Sequence, residues 1–563
     1  MVSADDLPPF AGWGRPLPVL PRHAWAYLQA QLGSASPAAK VEQTAIAVPA
    51  SRLVDDQIAQ LQASGARIST ADDVRRRHVG GMSYRDLLRQ RSGSGLAFPD
   101  AVAFPDTHDQ VQALLECCAH LDIAVLPFGG GTSVVGGLHA DAGRRGAVLV
   151  VSTVAMQELL ELDDVSGLVR VQAGMRGPAL EAQLASSGFT LGHFPQSWER
   201  ASVGGYAATR SSGQASTGYG RFSAMVHALR LATPTGTWEV GRAPASAAGP
   251  GLLELALGSE GTLGVITELV LRVRRLPVAQ HYEAALAPSF AAGIDAFRAL
   301  AQAGIPATVM RLSDHAETVA TLAMAGHDGA SPLIRLRRHV QALMLRSRGL
   351  NPADERGVLI ILGWEGASAP LLRARRRAAW RLLRQYRVRA LGRSGGRAWQ
   401  RGRFAGPAVR DLLLDHGYLV ETLESATTWA NLIALHGAVR EALITSLAAD
   451  GCRSYVMVHV SHVYETGASL YWTVLAQAPA DPALAAALWW RAKAAAMDAI
   501  AAQQGTITHH HGVGTDHAPW LGQEVGAVGS AVIAAVRASV DPAGIMNPGI
   551  LAGLESTPAT NRL

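Results

Sequence analysis

Pro127-Phe128-Gly129-Gly130-Gly131-Thr132-Ser133 follows directly on the β-rich apolar run Ile123-Ala124-Val125-Leu126, and this junction decides how the chain is read. Three consecutive glycines after a buried strand let the backbone take positive φ angles and bring its N–H groups close to an anion. Thr132 and Ser133 add hydroxyl donors. A plain hairpin turn would use the same residues. The dinucleotide fingerprint Gly-x-Gly-x-x-Gly is a different pattern, because no helical period opens directly after this turn. The loop reads as a phosphate grip that works without a helix dipole.

Strand and helix patterns alternate around it. Val102–Phe104 reads as a strand and His108–Leu121 as a helix with Thr107 at its N-cap. Further strands are expected at Ala147–Val151, Leu168–Val171, His227–Ala232 and Val265–Val273. Two more small-residue segments stand downstream. One is Pro195-Gln196-Ser197-Trp198-Glu199-Arg200-Ala201-Ser202-Val203-Gly204-Gly205, continued by Thr209-Arg210-Ser211-Ser212-Gly213. The other is Gly258-Ser259-Glu260-Gly261-Thr262-Leu263-Gly264-Val265-Ile266, a glycine turn running into a β-branched strand. Small hydroxyl residues and glycines leave room for a flat ring or a ribose where bulky side chains would block it.

In this order the three segments resemble the FAD-binding module of the vanillyl-alcohol-oxidase, or FAD-linked oxidase, superfamily. The resemblance implies FAD, taken as non-covalent because no attachment motif is present, with its pyrophosphate at Pro127, Phe128, Gly129, Gly130, Gly131, Thr132 and Ser133. It implies flavin and ribose contacts at Gln196, Ser197 and Ser202, and at Thr209, Arg210, Ser211 and Ser212. A third set is Glu260, Gly261, Thr262, Leu263, Gly264, Val265 and Ile266. The implied fold is α/β (α+β), with a helical N-terminal segment at 1–96 and a two-subdomain PCMH-type FAD-binding domain at 97–275. An α/β cap domain at 276–500 follows, and a C-terminal segment at 501–563 returns to the flavin.

The C-terminal half narrows the resemblance. Arg410-Asp411-Leu412-Leu413, Tyr464-Glu465-Thr466-Gly467-Ala468, Thr508-His509-His510-His511-Gly512-Val513-Gly514 and Asp541–Gly549 together resemble the alkyldihydroxyacetonephosphate synthase family, from about Trp13 to Leu551. The resemblance implies exchange of the acyl group of acyl-dihydroxyacetone phosphate for a fatty alcohol through a flavin N5 adduct, a step of ether-lipid synthesis. It puts the substrate phosphate on Arg410, acid/base work on Tyr464, and essential positions at His509, His510, His511 and Arg311. It departs at Gln196, where the eukaryotic synthases carry an acidic residue. An FAD-dependent dehydrogenase or oxidase of a 2-hydroxy acid would use the same parts, with Arg410 holding a carboxylate. A flavin-free binding protein that kept the fold is a third reading.

The residue types suit either chemistry. A guanidinium offers a planar fork to phosphate or carboxylate, and histidine moves protons near neutrality. Arg410 could instead pair with Asp411 or Asp415, and Tyr464 could be a buried phenol at a strand end. Three adjacent histidines on a strand would alternate faces, so no metal is expected. His139, just past the glycine loop, carries no motif for covalent flavin attachment.

A chain of 563 residues exceeds one hydrophobic core, so two or three domains are expected. Net charge is only +5, and apart from Lys40 and Lys493 its basic residues are arginine, which argues against nucleic acid as a partner. Arginines cluster at 335–348 and 373–389; the second cluster carries apolar residues at helical spacing and reads as a solvated helix face. Cys117, Cys118 and Cys452 make no disulfide framework. With no signal-peptide pattern and no uninterrupted membrane-spanning run, a cytoplasmic enzyme is expected. A small-molecule or lipid substrate bearing phosphate or carboxylate, peripheral membrane contact and a homodimer are compatible with it.

Overall fold

The computed structural model describes residues 7–37, 40–325, 346–347, 349–351 and 355–551. The arginine cluster at 335–348 lies almost wholly outside the described residues.

The first sheet has the order Arg67–Ser69, Ala101–Phe104, Ala147–Ser152, Ile123–Phe128, with the last three parallel. Parallel strands are covered on both faces and read as continuous apolar runs, and every residue of Ala147–Ser152 is buried. The helix His108–His120 covers one face through Val111, Leu114, Leu115 and Cys118, at helical spacing. Thr107 caps it, its hydroxyl accepting from Gln110 N at 3.3 Å. A second, antiparallel sheet follows in the order Leu159–Asp163, Leu168–Gln172, Val265–Arg272, Val226–Thr233, Gly236–Val240. These two sheets form the halves between which the glycine loop emerges.

The cap is a seven-stranded antiparallel sheet in the order Arg389–Gly392, Ala279–Ala287, Val358–Gly366, Val309–Ser313, Ser454–Val463, Gly467–Gln477, Tyr418–Thr428. Helices Phe290–Gln302, Ala369–Gln385, Leu432–Ala449 and Pro482–Ala502 pack on it. The arginine-bearing helix buries Leu372, Ala379, Trp380 and Leu383 and leaves Arg373, Arg377, Arg381 and Arg384 in solvent. That is the solvated face expected of it.

The N-terminal segment does not form a unit of its own. Leu28 and Leu32, on the helix Arg22–Leu32, belong to the cap's core. Leu53, Leu61 and Ala66 belong to the core of the first sheet, whose edge strand Arg67–Ser69 has no alternation strong enough to show in sequence. The C-terminal segment packs on the first sheet. Val125 N donates to Ile545 O at 2.9 Å and Asn547 N to Val125 O at 2.8 Å, so this segment covers the open edge of strand Ile123–Phe128.

Candidate active site

A cavity of about 650 Å³ lies where the two sheets of the first domain meet the inner face of the cap sheet. The glycine loop forms one wall. Gly131 has φ +68°, and a Cβ on Gly130 would overlap the carbonyl oxygen of Arg200. Glycine is required here because two loops pass at backbone contact. The N–H groups of residues 129–133 donate to no acceptor among the described residues, although the loop lines the cavity. The buried Oε1 of Gln214, also in the wall, has no partner either. Unmade hydrogen bonds are costly in a buried site, and a row of unpaired amides is what a pyrophosphate would satisfy.

Most of the expected cofactor positions face this space. Residues 127 to 133, Gln196, Ser197, Ser202, Thr209, Ser211, Ser212, Glu260, Gly261, Gly264, Val265 and Ile266 all line it. Three do not. Arg210 turns away, pairing with Glu254 at 3.0 Å and donating to Leu257 O at 3.0 Å. Thr262 spends its hydroxyl on Ser259 O at 2.8 Å, and Leu263 is buried in packing. His139 also stays outside the lining.

Glu260 joins this wall to the histidine segment. Its carboxylate accepts from Val513 N at 2.7 Å and Gly514 N at 2.9 Å, and its carbonyl accepts from Asn547 Nδ2 at 2.7 Å. Removal from bulk water raises its pKa to about 7, partly offset by those two amides.

The histidine run is not a strand, which corrects the expectation from sequence. The chain from Thr508 to His511 curls around one buried carboxylate, Glu424 of strand Tyr418–Thr428. Glu424 accepts from the amides of His509, His510 (3.0 Å) and His511 (2.8 Å) and from the Thr508 hydroxyl (2.9 Å). A segment with no strand ladder thereby finds partners for its amides.

This curl aligns a hydrogen-bonded chain. Tyr464 Oη is 2.6 Å from His509 Nε2, and His509 Nδ1 is 2.9 Å from His510 Nδ1. His510 and His511 line the cavity; His509 and Tyr464 stand behind them. Burial pushes Tyr464 up to about 12, and it lowers His511 to about 3 and His509 and His510 well below the usual histidine range. All four are therefore neutral at neutral pH. Strand alternation is no longer an argument against a metal, since nitrogens of His462, His509 and His510 come within 4.8 Å of one another. Those of His462 and His509 are committed, however: His462 Nε2 bonds Gly213 O at 3.0 Å and its Nδ1 lies 3.2 Å from Ser469 Oγ, while both His509 nitrogens are in the chain above.

Two arginines also line the cavity. Arg410 is buried, and it donates to Met82 O at 2.8 Å and Val420 O at 3.3 Å. Neither neighbouring acid pairs with it. Asp411 accepts from Arg91 at 3.1 Å and Trp13 N at 2.8 Å, and Asp415 pairs with Arg91 at 3.0 Å and with Lys40. Arg410 has no ion pair among the described residues. Arg311 does: it bonds Glu317 and His459. Glu317, His459 and Tyr471 were not singled out from sequence, and Glu424 stood out only as part of Glu424–Trp429, a further stretch of the family resemblance, without a role. Signals existed in the Asp314-x-x-Glu317 spacing of a helix start and in polar His459 within an apolar alternating strand. Beyond the arginines, Leu28, Met310, Met324, Leu413, Met457 and Leu475 give the cavity an apolar arm.

Residues 99–241 match the family described as "FAD binding domain", and residues 276–551 match "FAD linked oxidases, C-terminal domain". The chain is 31% identical to the alkyldihydroxyacetonephosphate synthase of Dictyostelium discoideum over 84% of its length and 76% of the relative's. The enzyme of that name from Trypanosoma brucei brucei gives the same identity and coverage. A solved structure of alkyldihydroxyacetonephosphate synthase superposes with a TM-score of 0.82 at 26% identity, covering 98% of this chain and 100% of that one. A mitochondrial cytochrome-type D-lactate dehydrogenase of Arabidopsis thaliana is 34% identical over 39% of this chain and 38% of its own.

Proposed function

Since the chain belongs to the FAD-linked oxidases, within the alkyldihydroxyacetonephosphate synthase family, we propose that it exchanges the acyl group of an acyl-dihydroxyacetone phosphate for a fatty alcohol. The observation that carries this is Arg410: a buried guanidinium without a carboxylate, in one cavity with the unpaired amides of the glycine loop and the chain ending at His510.

FAD, when bound, supplies an electrophilic ring position that can hold and release a carbon nucleophile without net redox change. The protein's residues do the rest. Arg410 takes the phosphate, and the apolar arm takes the hydrocarbon and keeps water out. His510 faces the substrate with its Nε2. If Tyr464 donates to His509, the Nδ1 proton between the two rings belongs to His509, and His510 presents an N–H. If the chain of donors is reversed, His510 presents a lone pair. The same array thus takes a proton from the substrate α-carbon and later returns one. A proton held on the His509–His510 pair is stabilised by Glu424, whose carboxylate lies 3.5 Å from His510 Nδ1.

Contact with a cytoplasmic membrane surface belongs to this proposal, because both reactants are amphiphiles and the stripe of exposed arginines from Arg373 to Arg384 suits anionic headgroups. So does a homodimer; vesicle sedimentation and light scattering test the two. For the activity, purified holoenzyme is incubated with palmitoyl-dihydroxyacetone phosphate and hexadecanol. Release of palmitate with formation of the alkyl ether, and no lasting flavin bleaching, is expected. Bleaching by D-lactate or glycolate without ether formation would make it a 2-hydroxy-acid dehydrogenase instead.

A further inference from the structure

We propose that Glu317 is a specificity-determining residue: by pairing with Arg311 it withdraws that guanidinium from anion binding, and so leaves Arg410 to receive the substrate's anionic group. This rests on the assignment of Arg410 above.

The two arginines line the same cavity and carry the same charge, yet their surroundings differ. Arg311 lies on strand Val309–Ser313, and Glu317 comes six residues later in the first turn of helix His315–Met324. Asp314 caps that helix, accepting from Glu317 N at 2.7 Å. A carboxylate at this position is favoured by the helix dipole. The Glu317 side chain does not turn back on the cap. It pairs with Arg311, while its second oxygen lies 3.1 Å from His459 Nδ1. Arg311 Nη1 is 3.0 Å from His459 Nε2. A guanidinium only donates, so Nε2 accepts and the ring proton sits on Nδ1, facing Glu317. Strand pairing makes the cluster rigid: Leu312 lies opposite Val460 and Ser313 opposite His459, which places Arg311 diagonal to that histidine.

Glu317 offsets the charge of Arg311, and His459 lies beside both. Burial alone would raise Glu317, but Arg311 and His459 beside it bring it down to about 2, so it stays ionised at any working pH. An anion approaching Arg311 meets the Glu317 carboxylate as well. At Arg410 it meets a guanidinium held by two carbonyl oxygens and paired with no carboxylate among the described residues. Coulomb attraction in a poorly solvated cavity separates these two cases strongly. The charge of Arg311 is matched by Glu317 before any ligand arrives.

The test asks whether removing the carboxylate creates an anion site. Inorganic phosphate is titrated into holoenzyme while the flavin absorbance band is followed. R410Q should weaken phosphate binding at least tenfold. Adding E317Q should recover binding to within a few-fold of the parent; adding E317D, which keeps the charge, should not. A further R311Q change should abolish the recovery. Loss in R410Q with no recovery in R410Q/E317Q, both retaining the flavin spectrum, overturns the proposal alone. Phosphate binding that survives R410Q overturns it together with the assignment of Arg410.

Discussion

Glu424→Gln should loosen the histidine run while leaving the rest of the fold intact. One oxygen of Glu424 accepts from His510 N, His511 N and the Thr508 hydroxyl; the other accepts from His509 N. A glutamine of the same shape can keep the first three, but its amide N–H₂ then opposes the His509 N–H, donor against donor. The opposite flip loses three bonds to keep one. The better arrangement strands a buried N–H, which costs about 1–3 kcal/mol, and turns three charge-assisted bonds into neutral ones. The total is roughly 3 kcal/mol, or about a hundredfold in the local opening equilibrium. Hydrogen exchange followed by mass spectrometry on peptides spanning 508–514 reads this directly. Exchange there should accelerate about a hundredfold, with peptides of strand Ala147–Ser152 unchanged. Protection within threefold of the parent would refute the claim that one carboxylate shapes the run.

Three further outcomes are expected. Gly130→Ala forces a Cβ into the Arg200 carbonyl, so the loop must shift and the purified protein should be nearly colourless; a full flavin spectrum would contradict the grip. Tyr464→Phe removes the hydroxyl at the far end of the proton chain through His509, so kcat should fall roughly 10²- to 10⁴-fold with little change in KM, as for loss of a general acid–base group. Glu260 has its folded pKa raised to about 7 from 4.5; its contribution to stability is full below the ordinary value and lost as pH rises through 7. Some 2.5 units correspond to roughly 3 kcal/mol, so the thermal midpoint should fall between pH 5 and pH 8. Glu260→Gln should flatten that difference, and an unchanged slope would show that another group causes it.

What the sequence showed was local. The glycine loop after Ile123–Leu126, the helix capped by Thr107 and the strands expected at Ala147–Val151, Leu168–Val171, His227–Ala232 and Val265–Val273 each depend on a few neighbouring residues, and all are found. The misreadings depended on distance or on phase. The histidine run looked like a strand because its shape is set by Glu424, 85 to 87 residues earlier. Strand Ser454–Val463 changes register between Val460 and His462. Beyond such a bulge, spacing no longer tells which face a side chain takes, which is why the placement of Tyr464 behind the cavity wall could not be read. Arg210 sits among true lining residues, but its left-handed backbone, with φ +50°, turns the side chain out. Glu317 belongs to a helix start whose capping pattern is common, and only the paired strands reveal that it faces Arg311.

The tail that closes over strand Ile123–Phe128 also sets an order of assembly. Asn547 bonds Gly137 and the loop carbonyl of Glu260, partners 410 and 287 positions earlier in the chain. During synthesis on the ribosome, the half that holds the nucleotide is left with a bare strand margin until residues 545–547 have been made. Such margins invite pairing with foreign chains, so a chain cut short before Asp541 should yield insoluble product.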